Sequence, residues 1–321
     1  GGTDSVTATY GSAMPTATKP TREWYTFGGY WDATSDGMQY YTESMASARS
    51  WDKTANTTLY ARWTVNTYTV TFNKQSGSGG TNSVTATYDA AMPTATKPTR
   101  TGYTFGGYWD ATSGGTQYYT ASMASARSWD KTANTTLYAR WTVNTYTVTF
   151  NKQSGSGGTD SVTATYGSAM PTATKPTREW YTFGGYWDAT SDGMQYYTAS
   201  MASSRSWDKA ENTTLYARWT GNTYTVTFNK QSGTGGTNSV TATYGSAMPT
   251  ATKPTRTGYT FGGYWDATSG GTQYYTESMA SSRSWDKTAN TTLYARWTIN
   301  QYTVTFDSNG GSSVDQQTIN Y

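Results

Sequence analysis

The sequence predicts a tandem array of small, β-dominated domains. Three observations lead there: a long internal repeat, an alternation of period two inside each repeat, and a shortage of aliphatic residues that leaves the core to aromatic rings. The segment "TTLYARWT" ends at Thr64, Thr142, Thr220 and Thr298, so the repeat length is 78 residues, unbroken through Trp297. A fixed period of this size marks a repeat architecture and governs the reading of every other feature. Three units are complete: 66–143, 144–221 and 222–299. Residues 1–65 match a unit without its first strand, and 300–321 match the first hairpin of a further, incomplete unit. A second period lies over the first. Glu23-Trp24 alternates with Thr101-Gly102, then Glu179-Trp180 with Thr257-Gly258, as though a two-unit block had been duplicated.

Each element follows from local pattern. In "TYTVTF", Tyr68, Val70 and Phe72 point one way while Thr67, Thr69 and Thr71 point the other, which is a half-buried strand. "NKQSGSGG" is turn chemistry, and "SVTATY" resumes the alternation, so the two runs form a hairpin. "AMPTATKPTR" carries Pro93 and Pro98, each pushing its predecessor out of the helical region. That stretch reads as extended crossover chain with at most one short helical turn. "YTFGGYW" is a strand with Tyr103, Phe105 and Trp109 on one face, and Gly106-Gly107 marks a bulge or a close backbone approach. "DATSGG" turns the chain, "TQYY" returns it, and "TTLYARW" closes the unit with Leu137, Ala139 and Trp141 inward. Between the last two, "SMASARSWDKTAN" is a helical turn or an irregular loop anchored by Trp129.

Leucine occurs only at Leu59, Leu137, Leu215 and Leu293. A domain this small must therefore fill its core with aromatics, each burying about 150–250 Å². The core list is Tyr103, Phe105, Trp109, Trp129, Leu137 and Trp141, with their counterparts one period away.

Charged residues make up 13% of the chain, about half the usual share, and the net charge is +3. Neither a nucleic-acid footprint nor a polybasic membrane signal is present, and no apolar run is long enough for a membrane span. The start at Gly1, without an initiator Met or a signal peptide, fits a fragment or a processed product. The chain has no His and no Cys, which removes a triad base, a thiolate, an imidazole metal ligand and any disulfide. The expectation is no catalysis, no cofactor and no metal.

Asp32, Thr34, Asp36, Gly37 and Glu43 do stand at the spacing of a Ca²⁺ loop. Ala199 replaces the Glu in the third unit, and Gly114 and Gly270 replace Asp36 in the second and fourth, so an Asp-Gly turn is the better reading. "NTT" at Asn56, Asn134, Asn212 and Asn290 has the form of a glycosylation acceptor, and Lys74 and Lys152 are candidate donors for Lys–Asn isopeptide bonds.

The order "YTVTF", hairpin, "KPTRTGYTFGGYW", Gly turn, "TLYARW" resembles the Listeria–Bacteroides repeat family, the B-repeats of internalin-type surface proteins. The matching residues of the second unit are Val70, Phe72, Pro98, Gly102, Tyr103, Phe105, Gly107, Leu137, Tyr138, Ala139, Arg140 and Trp141. Two departures are visible: the family's Gly-Trp is Gly107-Tyr108-Trp109 here, and Trp24 and Trp180 replace the Gly before Tyr. The resemblance covers essentially the whole chain. It implies a β-grasp (ubiquitin-like) domain, hence a β-rich α+β class, and display on the outside of a bacterium without catalysis.

Two functions fit these features. One is a structural, adhesin-like stalk or spacer. The other is a repeated binding module for glycans or a host protein, using exposed aromatics, for which Trp24 and Trp180 are the candidates because alternate units dispense with them. Partners are then neighbouring domains of a longer chain, a glycan or host protein, or the chain itself. For the last, Tyr302, Val304 and Phe306 of one copy would lie beside Val6, Ala8 and Tyr10 of the next.

Trp141 and Tyr146 are separated by four residues, too few for a flexible linker, so the array is expected to be elongated. With a radius of gyration of ~11–12 Å per unit, the chain should extend roughly 120–160 Å. Small-angle scattering checks this; a compact globule would refute it.

Overall fold

The computed structural model describes all 321 residues. Two compact units divide the chain, Gly1–Asn144 and Thr145–Tyr321. Strands, turns and extended segments make up both. There is no helix anywhere, hence none that could cross a membrane. The α+β class expected above is corrected: the chain is all-β.

In the first compact unit the strands are β1 (Tyr25–Trp31), β2 (Gln39–Tyr41), β3 (Tyr60–Val65), β4 (Thr67–Asn73), β5 (Ser83–Thr87), β6 (Tyr103–Trp109), β7 (Gln117–Tyr119) and β8 (Thr135–Val143). The last five form one sheet in the order β5-β4-β8-β6-β7, and the same order recurs over 145–221 and 223–299. β4 and β8 run parallel at its centre, with Val70 opposite Thr135 and Phe72 opposite Leu137. All other pairs are antiparallel.

From β5, at one edge, the chain must cross the sheet to reach β6 on the far side of β8. Residues 88–102 make that passage. A helix is ruled out here by Pro93 and Pro98, which lack an N–H and force extended neighbours. The crossover stays extended and is tied to the first hairpin by Thr96 N–H donating to Thr81 Oγ1 (2.8 Å) and by mutual backbone bonds between Ser78 and Thr99. Met92 and Ala95 on it close over the core. The stretch 120–134 is likewise an irregular loop. Trp129 anchors it, exchanging backbone bonds with Asp89 and Ala90.

Parity along "YTFGGYW" differs from the simple alternation. The register of β6 on β8 slips between Phe105 and Gly107, so one extra residue is inserted and the faces exchange. Tyr108 consequently points inward and is fully enclosed, while Trp109 lies on the outer face beneath Arg140 (4.0 Å). Gly107 is the residue that permits this. Its φ is +120°, and a Cβ there would sit 2.3 Å from the Tyr119 carbonyl. Gln117 Nε2 locks the bulge by donating to the carbonyls of Gly106 (3.2 Å) and Tyr119 (3.0 Å).

The core of a complete repeat is therefore Val70, Phe72, Ala86, Met92, Phe105, Tyr108, Tyr118, Tyr119, Met123, Trp129, Leu137 and Ala139. Of the expected members, Phe105, Trp129 and Leu137 are buried, and Trp141 packs against the cluster half-buried, its indole N–H donating to Lys74 O (2.9 Å). Two members are corrections: Trp109 lies outside the cluster on the outer face, and Tyr103 stays half-exposed under the Arg100 guanidinium, 3.8 Å from its ring centre. Both tyrosines of "QYY" are buried although adjacent. Tyr119 joins the sheet core and donates to Pro93 O (2.7 Å); Tyr118 faces the other way and is roofed by Trp129 (5.1 Å between rings).

Residues 25–65 provide a control within the same chain. Their sheet has three strands, β2-β1-β3. "SVTAT" at 5–9 forms no strand, whereas the identical sequence at 83–87 is β5 because Thr67–Asn73 lies beside it. With no Phe72 equivalent in place, Tyr30, Trp51 and Leu59 are only partly buried, while Tyr108, Trp129 and Leu137 are 0% exposed.

Replacing Phe72, wedged 4.5 Å from Tyr108 and 5.4 Å from Tyr119, with Ala should destabilise that repeat by about 3–5 kcal/mol. Calorimetry that resolves the repeats checks it. The Tyr108 hydroxyl is enclosed without a protein hydrogen-bond partner, so Tyr108→Phe should be neutral or stabilising, whereas Tyr119→Phe strands the Pro93 carbonyl and should cost about 1 kcal/mol.

Burial pushes the Tyr108 and Tyr119 phenols up to about 12, against ~10 in the unfolded chain. Above pH ~10 the unfolded state loses protons that the folded state retains, so stability falls as pH rises from ~10 through about 12 and is unaffected by these groups below that window. Alkaline unfolding followed together with phenolate absorbance should show the exposed tyrosines ionising first and a second phenolate rise coinciding with unfolding; complete ionisation before unfolding would contradict it.

Candidate functional site

The acidic turns are internally satisfied. Asp32 accepts from the Met38 N–H (2.7 Å) and the Lys53 ammonium (2.8 Å), and these two contacts, Lys53 first, hold its carboxyl below the usual range. In the second repeat, burial alone would raise Asp110, but the Thr116 N–H and Lys131 outweigh it and hold the group low. Asp32 thus anchors an Asx-type turn, with Lys53 on its second oxygen. Nearby, Tyr118 donates a short hydrogen bond to Asp130, whose other oxygen accepts from Arg127 (2.5 Å). Burial, then this hydrogen bond, pushes the Tyr118 phenol up. Lysine and arginine each meet a specific carboxylate or carbonyl in this region, which fixes loops.

On the outer face, Arg140 covers the Trp109 ring and donates to the carbonyls of Ala111 (3.1 Å) and Gly114, clamping the turn that follows β6. Asn134, Asn212 and Asn290 of the "NTT" sequences accept from the N–H groups of Thr69, Thr147 and Thr225, each at 2.8 Å, so their amides serve the first strand of their own repeat. Lys74 Nζ donates to Asn82 Oδ1 (2.6 Å) and Lys152 pairs with Asp160 (2.5 Å), both at the mouth of the first hairpin. Sequence alone left those partners open.

The most distinctive constellation is the junction between repeats. β3 ends at Val65 and β4 starts at Thr67, so Asn66 alone connects two sheets. Its N–H donates to Trp24 O (2.9 Å), its Oδ1 accepts from Thr26 Oγ1 (2.7 Å), and its carbonyl accepts from Tyr88 N–H (3.0 Å). The first two bonds reach back into the preceding repeat and the third reaches into the following one. Asn222 repeats all three with Trp180, Thr182 and Tyr244, and Asn300 does so with Gly258, Thr260 and Tyr321. Sequence reading missed this Asn. Its signal was there, in an Asn placed directly between a closing strand and an opening one in every unit.

Trp24 and Trp180, the expected ligand-facing aromatics, sit at these junctions. Both have left-handed backbone, φ +66° and +65°, in turns closed by Tyr25 N–H to Arg22 O and Tyr181 N–H to Arg178 O. A bulky residue there costs on the order of 1–2 kcal/mol relative to Gly. Trp24 stacks on Tyr88 of the next repeat with ring centres 4.9 Å apart, leaving it 37% exposed; Trp180 meets Tyr244 edge-on at 6.2 Å. The residues expected to pair between copies are solvent-facing for the most part. Val6 and Tyr10 lie exposed and Ala8 half-buried in the unpaired segment, Tyr302 and Phe306 are exposed, and Val304 is half-buried in a hairpin of Gln301–Val304 with Gln317–Asn320.

The Listeria-Bacteroides repeat domain matches at residues 1–62, 68–140, 146–218, 224–296 and 302–321. A putative Gly-rich membrane protein of Evansella cellulosilytica is 31% identical over 308 residues, 92% of this chain and 33% of that protein. A putative membrane protein of the same organism is 31% identical over 264 residues, 78% of this chain and 35% of that one. Internalin H of Listeria monocytogenes is 34% identical over 157 residues, 48% of this chain and 25% of its own length. The chain thus spans about a third or less of these relatives. No solved structure matches it. Repeat by repeat, from the "TYTVTF" strand to the closing "LYARW", the chain belongs to the Listeria-Bacteroides repeat domain family.

Proposed function

We propose that this chain is a non-enzymatic structural spacer on the outside of a bacterium, a run of repeats that holds other parts of a larger surface protein apart. Similarity to proteins named as membrane proteins and as an internalin supports the location. The sheet order, with the first and last strands parallel in the middle and a hairpin on each flank, supports reading each complete repeat as a β-grasp sheet whose crossover is extended instead of helical.

One observation carries the spacer reading. Tension along the chain would enter a repeat at the start of β4 and leave at the end of β8. These strands are parallel neighbours, paired from Val70 and Thr135 to Asn73 and Tyr138. Pulling the two ends apart therefore slides one strand along the other, loading all the bonds between them at once instead of peeling them singly. Phe72 and Leu137 lie side by side in that pair and are buried, so slippage also breaks the core. The binding-module reading has less behind it, since Trp24 and Trp180 rest on neighbouring tyrosines and Trp109 is covered by Arg140.

Single-molecule stretching of the full chain tests the proposal. The three complete repeats should unfold one at a time, each releasing about 250 Å, from 78 residues at roughly 3.3–3.6 Å per residue less the folded span. Thr71→Pro, which places a ring in the β4–β8 seam, should weaken one event of the three. Smooth extension without discrete events would refute a load-bearing role.

A further inference from the structure

The junctions hold their hydrogen bonds constant and vary the side chains around them. The bolt made by Asn66, Asn222 or Asn300 is the same to within a few tenths of an ångström. Beside it, the left-handed turn position carries Trp24, Trp180 or Gly258, and the residue before the Asn is Val65, Gly221 or Ile299.

The following repeat's tyrosine answers each combination differently. With Trp24 and Val65, Tyr88 lies flat on the indole at an interplanar angle of 25°. With Trp180 and Gly221, Tyr244 stands edge-on to the indole at 80° and meets Tyr181 at 90°. Two glycines permit it: Gly245, which is Asp89 at the first junction and where a Cβ would lie 2.6 Å from the Tyr181 hydroxyl, and Gly221. A Cβ there would come within 2.2 Å of the Tyr244 carbonyl, so the next repeat approaches closer than any side chain at 221 would allow. With Gly258 and Ile299, the Tyr321 ring lies directly over the glycine, 1.6 Å from where a Cβ would be, in space that a Trp would fill.

We propose that these two positions are an orientation code for the repeat–repeat interface. The Asn bolt fixes the point of attachment, and the residues at 24, 180 or 258 and at 65, 221 or 299 select the direction in which the next repeat leaves. The partner of Trp24 and Trp180 is then the next repeat's tyrosine. This builds on the spacer reading but fails separately from it, because direction is measured without load and shear resistance without regard to direction.

The absence of cysteine allows a direct test on the full chain. Spin labels on cysteine pairs at the exposed, equivalent sites Ser35 and Thr71, and Ser191 and Thr227, report the first and third junctions. Pulsed dipolar spectroscopy should give two narrow distance distributions with different means. Gly221→Val should move the Ser191–Thr227 distance toward the Ser35–Thr71 value, Val65→Gly should move the latter the opposite way, and Trp24→Gly should shift or broaden it. Circular dichroism confirms folding of each variant. If Gly221→Val does not fold, Val65→Gly decides. Equal means in the unmodified pairs, or distances that stay put on substitution, would overturn the proposal.

Discussion

Each complete repeat depends on a single strand addition, the parallel pairing of β4 with β8. It brings Phe72 between Tyr108 and Tyr119 and covers Leu137, after which the crossover and the Trp129 loop have a surface to close on. The contrast with residues 25–65 shows how much follows from it. The same turns and the same three strands form there, yet the neighbouring "SVTAT" has no partner and the rings it would help enclose stay partly open. A neighbouring strand to pair with, rather than local strand propensity, makes β5 a strand.

The low charge content has a structural counterpart. Eight of the nine ion pairs recur at the same two places: an Arg–Asp pair three residues apart beside the buried tyrosine, and a Lys–Asp pair that pins the turn after the bulged strand; the ninth is Lys152–Asp160. Exposed pairs of this kind contribute little individually. Here each shapes a loop that would otherwise be an irregular connection of ten or more residues. The remaining outer surface is rich in hydroxyl and amide groups, with Thr67, Thr69 and Thr71 all exposed on β4.

Much of this was legible in the sequence, and the misses share a cause. Period, strand positions, the Trp129 anchor and the burial of Phe105 and Leu137 followed from spacing alone. Alternation failed after Gly106-Gly107, because a bulge inserts one residue and reverses every face beyond it; the glycines signalled a bulge without saying which side Tyr108 would take. "QYY" defied period two because burial of Tyr118 comes from a loop, not from the sheet. The α+β class followed from family resemblance, while the two prolines of the crossover already argued against a helix. Trp24 and Trp180 were rightly separated from the core of their own repeat by their replaceability with Gly, but a neighbouring repeat is invisible to a reading made one unit at a time.

The single-asparagine connection also bears on how the protein meets degradative enzymes. A protease needs several residues of unfolded, extended chain to thread its cleft. Between Val65 and Thr67 there is one residue, with its N–H, carbonyl and side-chain oxygen all engaged, so cutting at a junction first requires a whole sheet to come apart. The exposed tips that remain, such as Thr112 to Gly114 and Gly79, lie inside closed hairpins whose strands are paired on both sides of the tip. A nick there leaves the two fragments held by the same sheet. The array is thereby built so that being cut and being severed are different events.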